Sequence, residues 1–91
     1  MRIKARVIFE GRVQGVFFRA NTVRCAESLN LVGWVRNTRD GNVEAMFEGE
    51  EDDVRKAIDW CENEQPYAKV TSKRVEISEP DGQYSGFSIR P

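Results

Sequence analysis

The sequence predicts a two-layer α+β sandwich, in which two helices cover one face of a mostly antiparallel sheet. Two observations predict it. Segments in which apolar and polar residues alternate, typical of half-buried strands, are interleaved with two segments of helical periodicity, and 91 residues are enough for only one core. Hydrophobic residues make up 40% of the chain and charged residues 32%, which is typical of a globular protein. We therefore expect residues 1–91 to form a single domain.

The first half of the chain predicts a strand, a helix and a hairpin. Apolar side chains alternate with polar ones in the first strand, at Ile3, Ala5, Val7 and Phe9. A loop from Gly11 to Arg19 interrupts this pattern. A helical stripe then recurs at Phe18, Thr22, Cys25 and Leu29, and the helix is expected to stop near Asn30, which tolerates a left-handed cap. Residues 31–37 and 42–49 are rich in Val, Trp and Phe and flank an Asp-Gly turn, which predicts a hairpin.

The second half predicts one more helix and two strands. Four acidic residues, at positions 50–53, are predicted to lie in the first turn of a second helix, where the helix dipole favours negative charge. Its buried stripe is predicted at Val54, Ala57, Ile58 and Cys61. Gln65 and Pro66 end this helix, residues 70–77 form a strand, and a short last strand passes through Phe87 and Ile89.

This order is βαββαβ with a short fifth strand, which matches the ferredoxin-like plan. In that plan the first two strands run parallel with another strand between them, so their carboxyl ends emerge at the same edge of the sheet. The loop from Gly11 to Arg19 and the strand-ending Asn37 should therefore be neighbours.

Composition excludes several classes of site. The chain contains no histidine, which removes Ser-His-Asp and Cys-His catalysis and histidine-based metal sites, and we expect no metal and no cofactor. The net charge of −1 provides no overall field that would attract nucleic acid or an anionic membrane. We predict neither as a partner, and we expect a monomer.

The two cysteines and the N-terminus bear on location. Cys25 and Cys61 form no C-x-x-C pair, and we interpret both as small buried residues, leaving open whether they form a disulfide. The N-terminal residues contain no apolar run of the length that a signal peptide or a membrane span needs. A cytoplasmic location is therefore expected.

The loop of residues 11–19, called the cradle loop below, is a candidate anion site. It joins a strand to a helix N-terminus, where unpaired backbone N–H groups and the helix dipole favour negative charge, and Gly15 would allow close approach of a ligand. Arg19 lies in the first helical turn, which is unfavourable for a cation unless an anion offsets the cost. The alternatives are an ordinary turn, with Arg19 paired to a nearby carboxylate, and ordinary turn chemistry for Asn37.

Two runs of sequence resemble the acylphosphatase family. Residues 11–19 read GRVQGVFFR and resemble its first signature, G-x-V-Q-G-V-x-F-R; residues 33–37 read GWVRN and, with the Asp-Gly turn after them, resemble its second. The resemblance covers essentially the whole chain and extends to the closing residues 86–90. Among the departures, Phe17 stands where many prokaryotic members have glycine.

The resemblance implies an enzyme that hydrolyses the carboxyl-phosphate bond of acyl phosphates to a carboxylate and inorganic phosphate. It implies that Arg19 binds the phosphoryl group and that Asn37 positions the attacking water. The backbone amides expected to bind phosphate are those of Gln14, Gly15, Val16, Phe17 and Phe18. We also expect Thr38 to hydrogen-bond Asn37 and orient it.

Two alternatives of other classes remain. The first is a non-catalytic phosphate-binding, carbamoyl-phosphate-binding or regulatory acylphosphatase-like module, although a chain that retains both Arg19 and Asn37 is favoured as an enzyme. The second is a nucleic-acid-binding ferredoxin-like domain. Such domains stack bases on aromatic residues of the open sheet face, whereas the predicted strands offer mainly Arg, Lys and Glu there.

Overall fold

The computed structural model describes residues 1–91 and contains five strands and two helices in the predicted order. The helices α1 and α2 span Phe18–Ser28 and Glu51–Asn63. The strands β1 to β5 span Arg2–Arg12, Val32–Asn37, Val43–Glu50, Lys69–Ser78 and Phe87–Ile89. The predicted fold class, two helices packed on one face of a mostly antiparallel sheet, is confirmed.

The order of strands across the sheet is β4-β1-β3-β2-β5. β1 pairs antiparallel with β3 and β4, β2 pairs antiparallel with β3, and only the β2–β5 pair is parallel. β1 and β2 therefore run in the same direction on either side of β3. Their carboxyl ends lie at the same edge, as predicted, so β1 leads into the cradle loop beside the residue that ends β2.

β1 is longer than the sequence pattern indicates. The pattern predicts an interruption at Gly11, but pairing with β4 continues through Arg12, with a shift of register between Glu10 and Gly11. Gly11 has a φ of 125°, and a Cβ at this position would lie 2.3 Å from the Lys69 carbonyl oxygen. The glycine therefore permits a bulge that lets two backbones approach closely, rather than ending the strand.

One cluster of 18 buried residues forms the core and draws on both helices and on β1, β2, β3 and β5. The predicted stripe of α2 is buried in full. β4 differs, because its apolar residues Val75 and Ile77 alternate with polar ones but remain 39% and 46% exposed. β4 is an edge strand with a neighbour on one side only, so the sheet and α2 cover these side chains incompletely.

The two cysteines have different environments. Cys61 is fully buried, and desolvation raises the pKa of its thiol to about 12. The prediction that Cys25 is also buried is wrong: it is only half-buried, because α1 turns Ala26 into the core in its place. Both thiols are free, so the open question of a disulfide is answered for this structure.

The sheet face opposite the helices carries a paired charge network. Glu44 is 3% exposed and accepts hydrogen bonds from Arg6 and Arg36, which lie on the strands on either side of it. Arg6 also contacts Glu76 at 3.2 Å. The cations of this face are therefore largely neutralised.

Neither helix has both the length and the apolar character needed to cross a bilayer.

Candidate active site

The cradle loop presents backbone N–H groups that the fold leaves unpaired. None of the N–H groups from Gln14 to Ala20 donates to a backbone carbonyl of the chain; the first such bond of α1 runs from Asn21 to Phe17, at 3.1 Å. Gly15 and Phe17 have left-handed φ values of 73° and 61°. Left-handed residues between right-handed ones are the geometry that turns successive N–H groups toward a common point, which suits an anion.

The loop is anchored from beneath by apolar side chains. Val13, Val16 and Phe18 are all buried, at 6% exposure or less. The Phe18 ring packs against Phe9 of β1, with ring centroids 5.2 Å apart. Phe17 points the other way and is 73% exposed. Three buried anchors in one short loop hold its amides in place before any ligand binds.

Two glutamines fix the loop and the helix start, and sequence reasoning misses both roles. The Gln14 Nε2 donates to the carbonyl oxygens of Thr38 and Asn42, at 2.9 and 2.8 Å, tying the loop to the β2–β3 turn. The Gln65 Nε2 donates to the Phe18 carbonyl oxygen at 3.1 Å and so holds the first turn of α1. The sequence predicts only a backbone role for Gln14 and only a helix end at Gln65. A glutamine in a short loop does not reveal a partner that is distant in the chain.

A cavity of about 370 Å³ lies over the loop. Three parts of the chain line it: Val13, Gly15 and Phe17–Ala20 from the loop and the first turn of α1, Asn37 from the end of β2, and Ile89 from β5. Gly15 lines this cavity, and a Cβ added to it would meet no atom of the chain within 4 Å. The structure thus brings Arg19, Asn37 and the cradle loop together, as the sequence predicts.

Arg19 is the only ionisable residue that lines the cavity. It forms none of the ion pairs of the chain, so the alternative of a paired carboxylate is not what the structure contains. The first turn of α1 holds no acidic residue to offset this cation against the helix dipole. A guanidinium in this position is available for an oxyanion, which it can bind through two parallel hydrogen bonds.

Asn37 contributes a hydrogen-bond acceptor that has no donor within the chain. Its Oδ1 is buried and accepts no hydrogen bond from the chain. An unpaired buried acceptor costs a protein about 1–3 kcal/mol, and here the residue that carries it lines the cavity. Oδ1 can accept a hydrogen bond only, so it suits a donor such as a water molecule.

The role expected for Thr38 is not what the structure contains. Its hydroxyl donates to the Asp40 carboxylate and accepts a hydrogen bond from the Asn42 backbone N–H at 3.0 Å, and it does not bond to Asn37. The bond from Thr38 also lowers the pKa of the Asp40 carboxyl. Thr38 therefore closes the turn that follows Asn37, because its short side chain reaches the backbone of its own turn more readily than the preceding side chain.

Unpaired backbone amides and a free guanidinium lie around one cavity of this α+β sandwich, and Asn37 lines the same cavity, an arrangement typical of small oxyanion-binding proteins. Comparison with known proteins then identifies the family. The sequence model of the acylphosphatase family matches residues 5–89, and the chain belongs to that family.

Individual relatives agree with this assignment. The chain is 43% identical to the acylphosphatase of Pelotomaculum thermopropionicum, over 97% of this chain and 96% of the relative. It superposes on the crystal structure of acylphosphatase from Bacillus subtilis with a TM-score of 0.93 and 37% identity, covering 98% of this chain and 99% of the other. The predictions of the family and of an acylphosphate-hydrolysing enzyme are confirmed.

The same fold also occurs as part of a much larger protein. The chain is 31% identical to a part of full-length HypF, whose crystal structure is of a phosphate- and nucleotide-bound form. The TM-score of this match is 0.80, and it covers 98% of this chain and 12% of the larger one.

Proposed function

We propose that this chain hydrolyses the carboxyl-phosphate bond of acyl phosphates without a metal ion, using the cradle loop, Arg19 and Asn37. The observation that carries the proposal is the convergence on one cavity of the unpaired Arg19 guanidinium and of Asn37, whose Oδ1 has no hydrogen-bond partner in the chain. The substrate is a small molecule, and the products are a carboxylate and inorganic phosphate.

The phosphoryl group binds at the start of α1. The backbone N–H groups of Gln14, Gly15, Val16, Phe17 and Phe18, together with the Arg19 guanidinium, donate to its three non-bridging oxygens. These donors lack backbone partners within the chain, so they need not break protein hydrogen bonds to bind the substrate. Donors already in position stabilise the charge that the transition state spreads over these oxygens.

Asn37 orients the nucleophile. A water molecule that donates one hydrogen bond to Asn37 Oδ1 is held with a lone pair toward phosphorus, in line with the leaving oxygen. As the new P–O bond forms, the bond from phosphorus to the carboxylate oxygen breaks. The water proton passes to a phosphoryl oxygen of the substrate, and the electron pair of the broken bond leaves with the carboxylate.

This reaction needs no general acid, which is why a chain without histidine can carry it out. The leaving carboxylate has a pKa of about 4 to 5, so it departs as a stable anion at neutral pH without receiving a proton. The enzyme then needs only to position the reactants and to stabilise the charge of the transition state. The cradle loop, Arg19 and Asn37 meet both.

Hydrolysis of benzoyl phosphate by the wild-type chain and by Arg19→Ala tests the proposal. We expect Arg19→Ala to lose both phosphate inhibition and turnover, with kcat/KM falling by about 10³-fold, because a charge-assisted bidentate contact is removed from the transition state. Arg24→Ala is the matched control: it removes an exposed arginine of the same helix that lines no part of this cavity and is in no ion pair. An active Arg19→Ala enzyme would contradict the proposal.

The same measurement separates the enzyme from a binding module. Calorimetric binding of inorganic phosphate by the wild-type chain, without hydrolysis of benzoyl phosphate, would favour the non-catalytic module of the kind that occupies a small part of a larger protein. Turnover that is inhibited competitively by phosphate supports the enzyme.

We further propose that residues 1–91 act as one monomeric domain in the cytoplasm. One core cluster and one chain supply every residue of the site, and both thiols are free, as is usual in a reducing compartment. Nucleic acid is not proposed as a partner, because Glu44 neutralises Arg6 and Arg36 on the open sheet face.

A further inference from the structure

Two large apolar side chains lie at the mouth of the cavity and are only partly covered by the chain. Phe17 is 73% exposed and Ile89 is 47% exposed, and both line the cavity that holds Arg19 and Asn37. They come from different elements, since Phe17 precedes α1 and Ile89 is on β5. Exposed apolar residues scattered singly are ordinary, but two that share the rim of one binding cavity form a local apolar surface.

The position of Ile89 relative to Asn37 is set by strand pairing. Ile89 lies opposite Val35 in the parallel pair of β2 and β5. Asn37 follows Val35 by two residues, so its side chain projects from the same face of the sheet. Ile89 therefore stands beside the end of β2, on the side of the cavity that carries Asn37.

We propose that Phe17 and Ile89 form an acyl subsite, which makes acyl phosphates with an apolar acyl group the preferred substrates of this chain. The proposal rests on the function proposed above, in which the cradle loop and Arg19 hold the phosphoryl end. The acyl group is joined to that end through one oxygen, so it must extend from the loop toward the mouth, where these two side chains lie.

The charge of the cavity supports an apolar group. Five of the eight residues that line it are hydrophobic, and its single cation, Arg19, is engaged by the phosphoryl oxygens. A carboxylate on the acyl group would find no cation there and would lose solvation against Phe17 and Ile89. An aromatic or branched acyl group would instead cover both side chains and remove apolar surface from water.

The backbone of Phe17 is consistent with a functional side chain. Its φ of 61° is left-handed, a conformation that costs a non-glycine residue roughly 1–2 kcal/mol. Burial within the chain recovers little of this cost, because Phe17 is 73% exposed. A ligand that packs on the ring would compensate for this cost.

The test compares kcat/KM for benzoyl phosphate with kcat/KM for acetyl phosphate, since the two share the phosphoryl end and differ in the acyl group. We expect Ile89→Ser to lower the benzoyl-to-acetyl ratio by about five- to tenfold, as expected for losing one apolar contact at a rim. Acetyl phosphate hydrolysis and the inhibition constant of inorganic phosphate should stay at wild-type values. Ile77→Ser is the matched control, because Ile77 is 46% exposed on the opposite edge of the sheet.

A second variant tests the other half of the subsite. Phe17→Asn replaces the ring with a polar side chain that tolerates a left-handed φ, so the loop conformation is retained. Its benzoyl-to-acetyl ratio should also fall. A ratio in Ile89→Ser equal to that of the wild type would overturn the proposal, as would a concentration-dependent dimer that Ile89→Ser abolishes, because the apolar pair would then be a self-association surface.

A binding measurement distinguishes failure of the subsite from failure of the proposed function. Calorimetry with benzylphosphonate and methylphosphonate needs no turnover. Suppose that the wild-type chain hydrolyses neither acyl phosphate but binds benzylphosphonate more tightly than methylphosphonate, and that Ile89→Ser removes this preference. The acyl subsite is then supported, and the hydrolytic function is contradicted. Equal affinities of the wild-type chain for the two phosphonates would overturn the subsite.

Discussion

Replacement of Asn37 by alanine separates catalysis from stability in this chain. The substitution removes Oδ1, a buried acceptor that no donor of the chain satisfies. An unpaired buried acceptor destabilises a protein by about 1–3 kcal/mol, and the lower end of this range applies because Asn37 as a whole is half-buried. The free energy of unfolding should therefore rise by about 1 kcal/mol in the variant. In a domain of this size that corresponds to a Tm increase of about 4–8 °C.

The same substitution should remove most of the turnover. If Oδ1 holds the attacking water only as it approaches phosphorus, its loss raises the barrier of the chemical step by about 3–4 kcal/mol, or roughly 10²- to 10³-fold in kcat. KM for benzoyl phosphate should change by less than about threefold, since the phosphoryl group is still bound by the loop amides and Arg19. Asn63→Ala, at the end of α2, is the control for removal of an asparagine elsewhere.

The assays are steady-state hydrolysis of benzoyl phosphate and thermal unfolding followed by circular dichroism. A kcat within about threefold of the wild type would refute the water-positioning role. A fall in Tm together with the loss of activity would mean that Asn37 supports the fold, which contradicts the expected cost of its unpaired acceptor. Asn37→Asp keeps the shape but adds a negative charge, so it should raise KM as well by repelling the phosphoryl oxygens.

Three further outcomes are expected. Gln14→Leu breaks the two hydrogen bonds that tie the cradle loop to the β2–β3 turn, so denaturant unfolding should show a loss of about 1–2 kcal/mol and kcat/KM should fall about tenfold; an unchanged kcat/KM would remove the tether from the mechanism. Activity should survive excess EDTA, whereas a loss reversed by Mg²⁺ would contradict a metal-independent mechanism. Burial raises the pKa of the Cys61 thiol to about 12, so this thiol is protonated and unreactive at pH 8. Peptide mass spectrometry at that pH should find Cys25 labelled by iodoacetamide at least about tenfold faster than Cys61. Equal rates of labelling would contradict the burial of Cys61.

Most of the fold is predictable because its signals are local. The alternation in β1, the acidic first turn and buried stripe of α2, and the Asp-Gly turn each depend on residues close together in the chain. The prediction that Arg19 and Asn37 share one edge of the sheet needs one more rule, that the first two strands of a split βαβ unit run parallel. That rule places the carboxyl ends of β1 and β2 together whatever the side chains are.

Other features depend on partners distant in sequence. Which of Cys25 and Ala26 enters the core depends on how α1 is rotated against the sheet, and periodicity cannot distinguish two adjacent positions at the edge of a helical stripe. Val75 and Ile77 follow the pattern of a buried strand yet are exposed, because the order of strands makes β4 an edge. The composition of β4 does not encode that order.

The sequence alone determined the chemistry that this chain can offer: no histidine, one loop of glycines and amides that ends in Arg19, and a strand that ends in Asn37. How these groups are held depends on the tertiary structure. It ties Gln14 to the turn after Asn37, turns Thr38 away from Asn37, and leaves Oδ1 buried without a partner. Hydrogen-bond partners depend on atomic distances across the fold, which the order of residues along the chain does not specify.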